Sequence, residues 1–341
     1  MILLTGGTGL LGSRVLALCL AMQWPVRVFT RGATDWRSDS VPHLKRLGAE
    51  PFLGDLRDGS KIEAALEGCN VVVNMAGTMR QTKQLSFQEI HVEAVKSLVN
   101  AANKLGVQRF IHVSCLGSET NSDSEYFRSK WQGEQIVKQG QFYWTIIRPS
   151  FMFGESFILL DILEPILKNS PVVPVLGTGL NQVQPVWVED VAACIMQSIY
   201  DKSTADKCYD LVGPKAYSWR ELMLYLCESL GKPKPAVQIP ALLAAKALAP
   251  VEKFLPNSPI GKELVQLLQA ESCADPAPMQ ASFSVQMLAL EEHLERQKEV
   301  PSPVAEEEPA EVASGAGSGA ERYLDTDTGM SAPPGLGIFD E

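Results

Sequence analysis

Two rhythms of apolar residues alternate along the chain. Short, nearly continuous apolar runs occur at Met1–Thr5, Val26–Thr30, Glu50–Leu53, Val71–Met75, Arg109–Val113 and Trp144–Ile147. Runs this short, apolar on both sides of the pleat, predict strands covered on both faces. Between them apolar positions recur every three or four residues, which predicts helices around 12–22, 59–67 and 87–105. In the last of these Ile90, Ala94, Leu98 and Ala101 fall on one side. Strands alternating with helices predict an α/β fold, a doubly wound parallel sheet.

After Arg148-Pro149 the rhythm loosens. Helices are predicted near 157–168, 190–200 and 218–230, with extended segments at Val172–Leu176, Val183–Val188 and Cys208–Val212. Residues 1–150 therefore read as the wound domain, into which a later strand and helix return, and 151–299 as a smaller C-terminal lobe. Pro240, Pro250, Pro256 and Pro259 break an apolar stretch over 236–270, and a charged helix is predicted at 284–298. Residues 300–341 are dominated by Pro, Ala, Gly, Ser and Glu and predict a disordered acidic tail.

The net charge is −10, and nine acids against one base, Arg322, crowd residues 301–341. The body is therefore near neutral, which argues against a nucleic-acid partner. Seven cysteines without a C-x-x-C pair or a metal-ligand spacing point to reduced thiols, no bound metal and a cytoplasmic setting. No basic n-region marks a signal peptide, and no run of about 18 apolar residues predicts a transmembrane segment. The segment Ile239–Leu248, with its lone Lys246, suits a lobe helix over a substrate cleft better than peripheral contact with a membrane. Protein partners would meet the lobe or the tail, whose ending Leu336-Gly337-Ile338-Phe339 has no core to join.

The first strand runs into Thr5-Gly6-Gly7-Thr8-Gly9-Leu10-Leu11-Gly12 and then a helix. Gly6 permits a tight turn, Gly9 lets a pyrophosphate approach the backbone, and Gly12 lets the helix pack closely on the strand. The helix N-terminus would face the phosphates. The second strand ends at Arg31, where an acid would hold an adenosine ribose; a guanidinium there, with Arg37 nearby, suits a 2′-phosphate and hence NADP, with NAD as the alternative. Gly54-Asp55-Leu56 would set a carboxylate beside the adenine, and the small residues of Asn74-Met75-Ala76-Gly77-Thr78 let backbone pass close to a cofactor.

Tyr126-Phe-Arg-Ser-Lys130 follows a strand-end serine, Ser114. On a helix Tyr126 and Lys130 stand one turn apart on one face. The ammonium, together with a positive nicotinamide, is expected to lower the phenol pKa, so that Tyr126 exchanges a proton with a substrate oxygen steadied by Ser114. His91 and His112 read as packed or surface side chains, Trp131, Trp187 and Trp219 as packing residues, and Asp190 as the cap of the helix that follows it.

These motifs, with Ile147-Arg148-Pro149-Ser150-x-x-Phe153-Gly154, Val188-x-Asp190-Val191-Ala192 and Tyr209-x-Leu211-x-Gly213-Pro214, resemble the short-chain dehydrogenase/reductase superfamily in its extended or atypical branch. Within it, Ser114-Cys-Leu-Gly, Tyr126-Phe-Arg-Ser-Lys and Gly133-Glu134 resemble the NADPH-binding accessory subunit of respiratory complex I and its bacterial relatives. The resemblance covers about residues 1–298 and implies a Rossmann domain. Taken with the reading above, nucleotide binding falls to Gly6, Thr8, Gly9, Leu10, Leu11, Gly12, Arg31, Asp55, Leu56, Ala76, Gly77 and Lys130, and catalysis to Ser114, Tyr126 and Lys130. One position departs: extended members often carry Ser or Thr beside the strand-end serine, and here that residue is Cys115, a poorer donor.

Two functions follow. One is an NADP(H)-dependent oxidoreductase, or an epimerase using the nicotinamide transiently, acting on a small hydroxy or carbonyl compound. The other is a non-catalytic NADPH-binding scaffold or sensor in a larger, respiratory-type assembly, which the subgroup resemblance implies. Fold and cofactor alone do not separate them.

Overall fold

In a computed structural model of the chain, residues 1–32, 41–82, 84–155, 157–240 and 262–299 are described. Arg37, most of the Ile239–Leu248 segment and the acidic tail lie outside them.

Seven strands form one sheet: β1 (Ile2–Thr5), β2 (Val26–Thr30), β3 (Glu50–Leu53), β4 (Val71–Asn74), β5 (Arg109–Val113), β6 (Tyr143–Pro149) and, from later in the chain, β11 (Lys207–Leu211). Their order is β11-β6-β5-β4-β1-β2-β3, and every pair is parallel. Side chains alternate across the sheet as the two-residue period requires. Ile2, Leu4, Val71 and Val73 join a core on one face with helices α1 (Leu10–Ala21) and α7 (Val188–Tyr200). Leu3, Val72, Phe110 and Ile146 join a second core on the other face with α3 (Gly59–Leu66) and α4 (Ala94–Leu105). Both faces are thus covered, and strands apolar on both sides are the result. The short helix α2 (Val41–Arg46) leads into β3.

Beyond residue 150 the chain is shared between sheet and lobe. β11 and α7 lie on the main sheet. The lobe is built from two-stranded pairs: β7 (Met152–Phe153) with β10 (Val186–Trp187), β9 (Gln182–Val183) with β12 (Tyr217–Ser218), and β8 (Val173–Leu176) with β13 (Ala236–Ile239). Helices α6 (Ile158–Asn169) and α8 (Trp219–Ser229) flank them; Ser218 and Glu221 form a capping box on α8. The extended segment expected over Val183–Val188 is split in two at Gln184-Pro185, since proline donates no ladder hydrogen bond. Among the described residues no helix is long and apolar enough to cross a membrane.

Two local expectations are corrected. The helix expected over 87–105 begins with a π-helical turn, Gln88–Glu93, before α4. A π turn adds one residue, so His91 rather than Ile90 takes the inward position: His91 is buried and Ile90 half-buried. Asp190 does not cap α7, whose N-cap is Trp187. It lies in the first turn, 1% exposed, and accepts the Leu288 N–H at 3.0 Å.

Two buried charges lock the sheet to its helices. Arg109 donates to the carbonyls of Ser198 (2.7 Å) and Tyr143 (3.1 Å) and to Thr204 Oγ1 (2.8 Å), so one guanidinium joins β5, the end of α7 and the following turn. Glu134, on helix α5 (Glu125–Val137), is 0% exposed and grips Arg148 of β6 in a two-pronged pair at 2.8 and 2.5 Å. Removing one partner strands the other charge. Arg148→Met is therefore expected to lower the unfolding free energy by about 3–5 kcal/mol, and Glu134→Leu/Arg148→Met to recover most of the loss. Urea unfolding reads both; a single variant as stable as the parent chain would show that the pair does not hold α5 to β6.

Candidate active site

The C-terminal ends of β1, β4 and β5 open into a cleft of about 470 Å³. Its floor is the turn between β1 and α1. Gly6 has φ +69, and a Cβ there would stand 2.7 Å from the Met75 carbonyl carbon and 2.8 Å from Ala76 N. A Cβ on Gly12 would stand 2.0 Å from Gly6 O. Both glycines are demanded by the protein's own backbone. Gly9 is different: its φ is −80, open to any residue, and a Cβ would meet only Gly6 O at 3.5 Å. Among the described residues nothing requires glycine at 9, and its small size leaves the exposed face of the turn open. The α1 N-terminus has no capping side chain and no acid in its first turn. Its first amides and its positive dipole end are left for an anion. These features fit a dinucleotide pyrophosphate.

The opposite wall carries Tyr126 and Lys130 on α5, with Ser114 and Cys115 from the end of β5. Lys130 Nζ donates to Val113 O at 2.7 Å. Burial pushes its pKa down, partly offset by Cys115 and Glu134. The Cys115 thiol packs beside the Tyr126 side chain. Burial, and then that thiol, push the Tyr126 pKa well above its ordinary value of 10. The expected lowering by Lys130 is therefore overturned in the protein alone: the ammonium is engaged by a carbonyl, and desolvation of the phenol dominates. Ser114 Oγ lines the same cleft but pairs with Ser118 Oγ at 3.1 Å. Ser118 Oγ also meets Cys115 Sγ at 3.1 Å. The group set against the phenol is thus the thiol.

Two histidines underpin this wall. His91 Nε2 accepts the Thr78 N–H at 3.1 Å, which leaves Nδ1 as the protonated nitrogen facing Ser129 Oγ at 2.9 Å. Ser129 Oγ donates onward to Tyr126 O at 2.7 Å. One imidazole therefore ties the Gly77-Thr78 loop to the turn of α5 that carries the tyrosine, while its ring meets Tyr126 edge-on at 5.6 Å. Burial, then Lys130 and His112, lower the His91 pKa to about 2. His112, also buried, faces Asn74 Nδ2 through Nδ1 at 3.1 Å, and Thr5 Oγ1 donates to Asn74 Oδ1 at 2.6 Å. Both histidines are packed side chains, but His91 also positions the site. Its signal was hidden by the π turn.

Gly6, Gly9, Leu10, Leu11, Gly12, Gly77, Ser114, Tyr126 and Lys130 share the cleft. Thr8 lies in the same turn, and Ala76 touches the space beside Gly6. Arg31, Asp55 and Leu56 lie further along the strand ends, after β2 and β3. Asp55 is held by Arg57 at 2.9 and 2.6 Å, which lowers its pKa to about 2, with a smaller contribution from Arg31. Leu56 packs its side chain on the second core. Cleft residues without a sequence signal include Met79, Phe151, Leu267 and Ser272. Ser272 is brought in by Ser150 Oγ at 2.9 Å, across 122 residues.

Residues 6–158 match a family described as NAD(P)H-binding. Among curated proteins, the chain is 33% identical over 258 residues to NADH dehydrogenase [ubiquinone] 1 alpha subcomplex subunit 9, mitochondrial, of Arabidopsis thaliana, covering 74% of this chain and 63% of that one. It spans about half to just under two thirds of the length of the mitochondrial relatives it matches. It is 27% identical over 285 residues to the ceramide reductase of Caulobacter vibrioides, covering 82% and 87% of the two chains. In structure it is similar to the UDP-glucose 4-epimerase of Thermotoga maritima, with a TM-score of 0.65 at 18% identity over 86% of this chain and 96% of that one.

The buried histidines set a pH dependence. Both are held neutral in the fold, while free imidazoles titrate near 6.5. Below that pH the unfolded chain takes up two protons that the folded chain refuses, so the unfolding free energy falls as pH drops. The loss approaches about 1.4 kcal/mol per pH unit for each imidazole. The melting temperature should be level from pH 8 to 7, fall below about 6.5, and fall less steeply in His91→Gln. A level melting temperature down to pH 5 would contradict the buried, neutral rings.

Proposed function

This chain belongs to the extended short-chain dehydrogenase/reductase-like family, and we propose that within it the protein works as an NADP(H)-dependent oxidoreductase on the carbonyl or hydroxyl group of a small molecule. The observation that supports this most is the placing of the Tyr126 phenol and the Lys130 ammonium in one cleft with the glycine turn. Gly9 and the α1 N-terminus would hold the pyrophosphate, Asp55 and the Leu56 backbone the adenine side, and Lys130 the nicotinamide ribose. Arg31, exposed at the end of β2, suits a 2′-phosphate and favours NADP over NAD.

A nicotinamide cofactor, when bound there, would supply the hydride. Tyr126 Oη supplies the proton to the substrate oxygen, and water restores it. A raised phenol pKa keeps Tyr126 protonated near neutral pH. The protonated phenol is the form that reduction of a carbonyl draws on. The Cys115 thiol would lie beside the phenol in the resting site, a place that a substrate oxygen takes over. Ser114 is the nearby hydroxyl that would steady that oxygen once freed from Ser118.

A second reading has a specific support. The mitochondrial relatives are named as subunits of NADH dehydrogenase, and Cys115 replaces a stronger donor. On that reading the chain binds NADPH as a scaffold in an assembly.

Tyr126→Phe separates the two. On the oxidoreductase reading it leaves the NADPH dissociation constant within about twofold and lowers kcat about 100-fold or more, whereas Lys130→Met harms both. An assay of NADPH oxidation against a carbonyl panel, with nucleotide binding measured in parallel, reads both effects; turnover untouched by Tyr126→Phe would end the catalytic reading. Arg31→Ala is expected to weaken NADPH about 10- to 100-fold and NADH little. Equal affinities of the parent chain for the two nucleotides would refute the phosphate contact.

A further inference from the structure

Past Tyr126 the cleft runs between the end of β5, the segment after β6 and the helix Lys262–Gln269. Its walls there are Leu116, Phe127, Phe151, Met152 and Leu267. Phe127 and Leu267 belong to a buried cluster with Phe87 and Tyr126, and Cys115 and Phe151 pack against it. Phe151 is braced by Trp219, ring centroids 5.2 Å apart and nearly perpendicular. These are rigid aromatic surfaces next to the reacting hydroxyl, with the adaptable side chains of Met79 and Met152 at the cleft as well.

Charge is scarce in the same space. Among the described residues that line the cleft, Lys130 is the single cation and Asp161 the single carboxylate. Lys130 is deep, 5% exposed, and already donates to Val113 O. His91 is neutral, with both ring nitrogens engaged. The α1 N-terminus lies at the glycine-turn end, where the nucleotide is expected. A nucleoside diphosphate in the substrate half would need arginines, lysines or a helix N-terminus around its phosphates. Among the described lining residues it would instead meet phenyl, leucyl and methionyl side chains, the hydroxyls of Ser114, Ser150 and Ser272, and one acid.

We propose that the substrate half of the cleft takes an uncharged carbonyl compound with an apolar body, an aromatic or medium-chain ketone, and rejects nucleoside-diphosphate sugars. This rests on the oxidoreductase reading for the carbonyl, and on the walls alone for the apolar body. Reduction converts the ketone to a secondary alcohol: its carbon gains one hydride from the reduced nucleotide, and its oxygen gains the Tyr126 proton, which water replaces.

The test is a series of 2-ketones from 2-butanone to 2-decanone, together with 1-tetralone and UDP-glucose. Each is titrated into the full-length protein saturated with NADPH, with binding read by NADPH fluorescence and turnover by loss of NADPH absorbance. Affinity should rise about two- to fourfold with each added methylene, as expected for burial in an apolar pocket. UDP-glucose should neither bind nor turn over. Met152→Lys and Leu267→Lys should each weaken 2-decanone at least tenfold while the NADPH dissociation constant stays within about twofold. Should Leu267→Lys fail to fold, Met152, only half-buried, still carries the test. A flat ketone series, or UDP-glucose bound more tightly than every ketone, overturns the proposal and leaves the oxidoreductase reading intact. Ketones that bind with the expected slope but are never reduced uphold the apolar pocket and bring down the oxidoreductase reading instead.

Discussion

Everything at the site depends on how closely three stretches of backbone meet above the middle of the sheet. The turn at Gly6 lies against the Met75–Ala76 peptide, and the first turn of α1 lies against Gly6 itself, at separations that leave no room for a Cβ. That crowding fixes where α1 starts and how its N-terminus is aimed. It also fixes the height of the β4 loop, whose next residues, Gly77 and Thr78, edge the cleft. The Thr5–Asn74–His112 hydrogen bonds run just beneath, tying β1, β4 and β5 together at the same level. With backbone this close, the Thr5, Asn74 and His112 side chains satisfy one another in a chain rather than as an isolated pair.

Much of this was legible in the sequence, and for physical reasons. A strand covered on both faces tends to be apolar at successive positions, so β1 and β4 announce themselves. A glycine demanded by contact leaves a spacing that can be read, which is why positions 6 and 12 stand out. Tyr126 and Lys130 are visible because a helix brings residues four apart to one face. Each of these signals is local.

What was not legible depends on distance or on a shift of phase. A single added residue in the π turn exchanges His91 for Ile90, and no count of helical periodicity detects it. The phenol's pKa was read from its neighbour in sequence, whereas burial, a property of the whole fold, decides it. Leu267 and Ser272 arrive from more than a hundred residues beyond the strands they serve, held by contacts such as Ser150 with Ser272. The lobe's two-residue strand pairs are too short to leave any pattern. Cys115 was noticed as a substitution, but its place against Tyr126 required the structure.

The narrow neck of the lobe has an evolutionary consequence. The chain leaves the sheet at the end of β6 and is pinned again where β10 lies beside β7, the Val186 N–H donating to Phe151 O at 2.9 Å. An excursion whose departure and return are neighbours can be lengthened, trimmed or exchanged without disturbing the register of the strands beneath it. The glycine-turn side of the cleft comes from residues before this neck, and Phe151, Met152, Leu267 and Ser272 on its other side come from the neck or after it. The lobe is built from two such excursions, one before β10 and one after β11, tied together by the β9–β12 and β8–β13 pairs, so that change in either must be accommodated by the other.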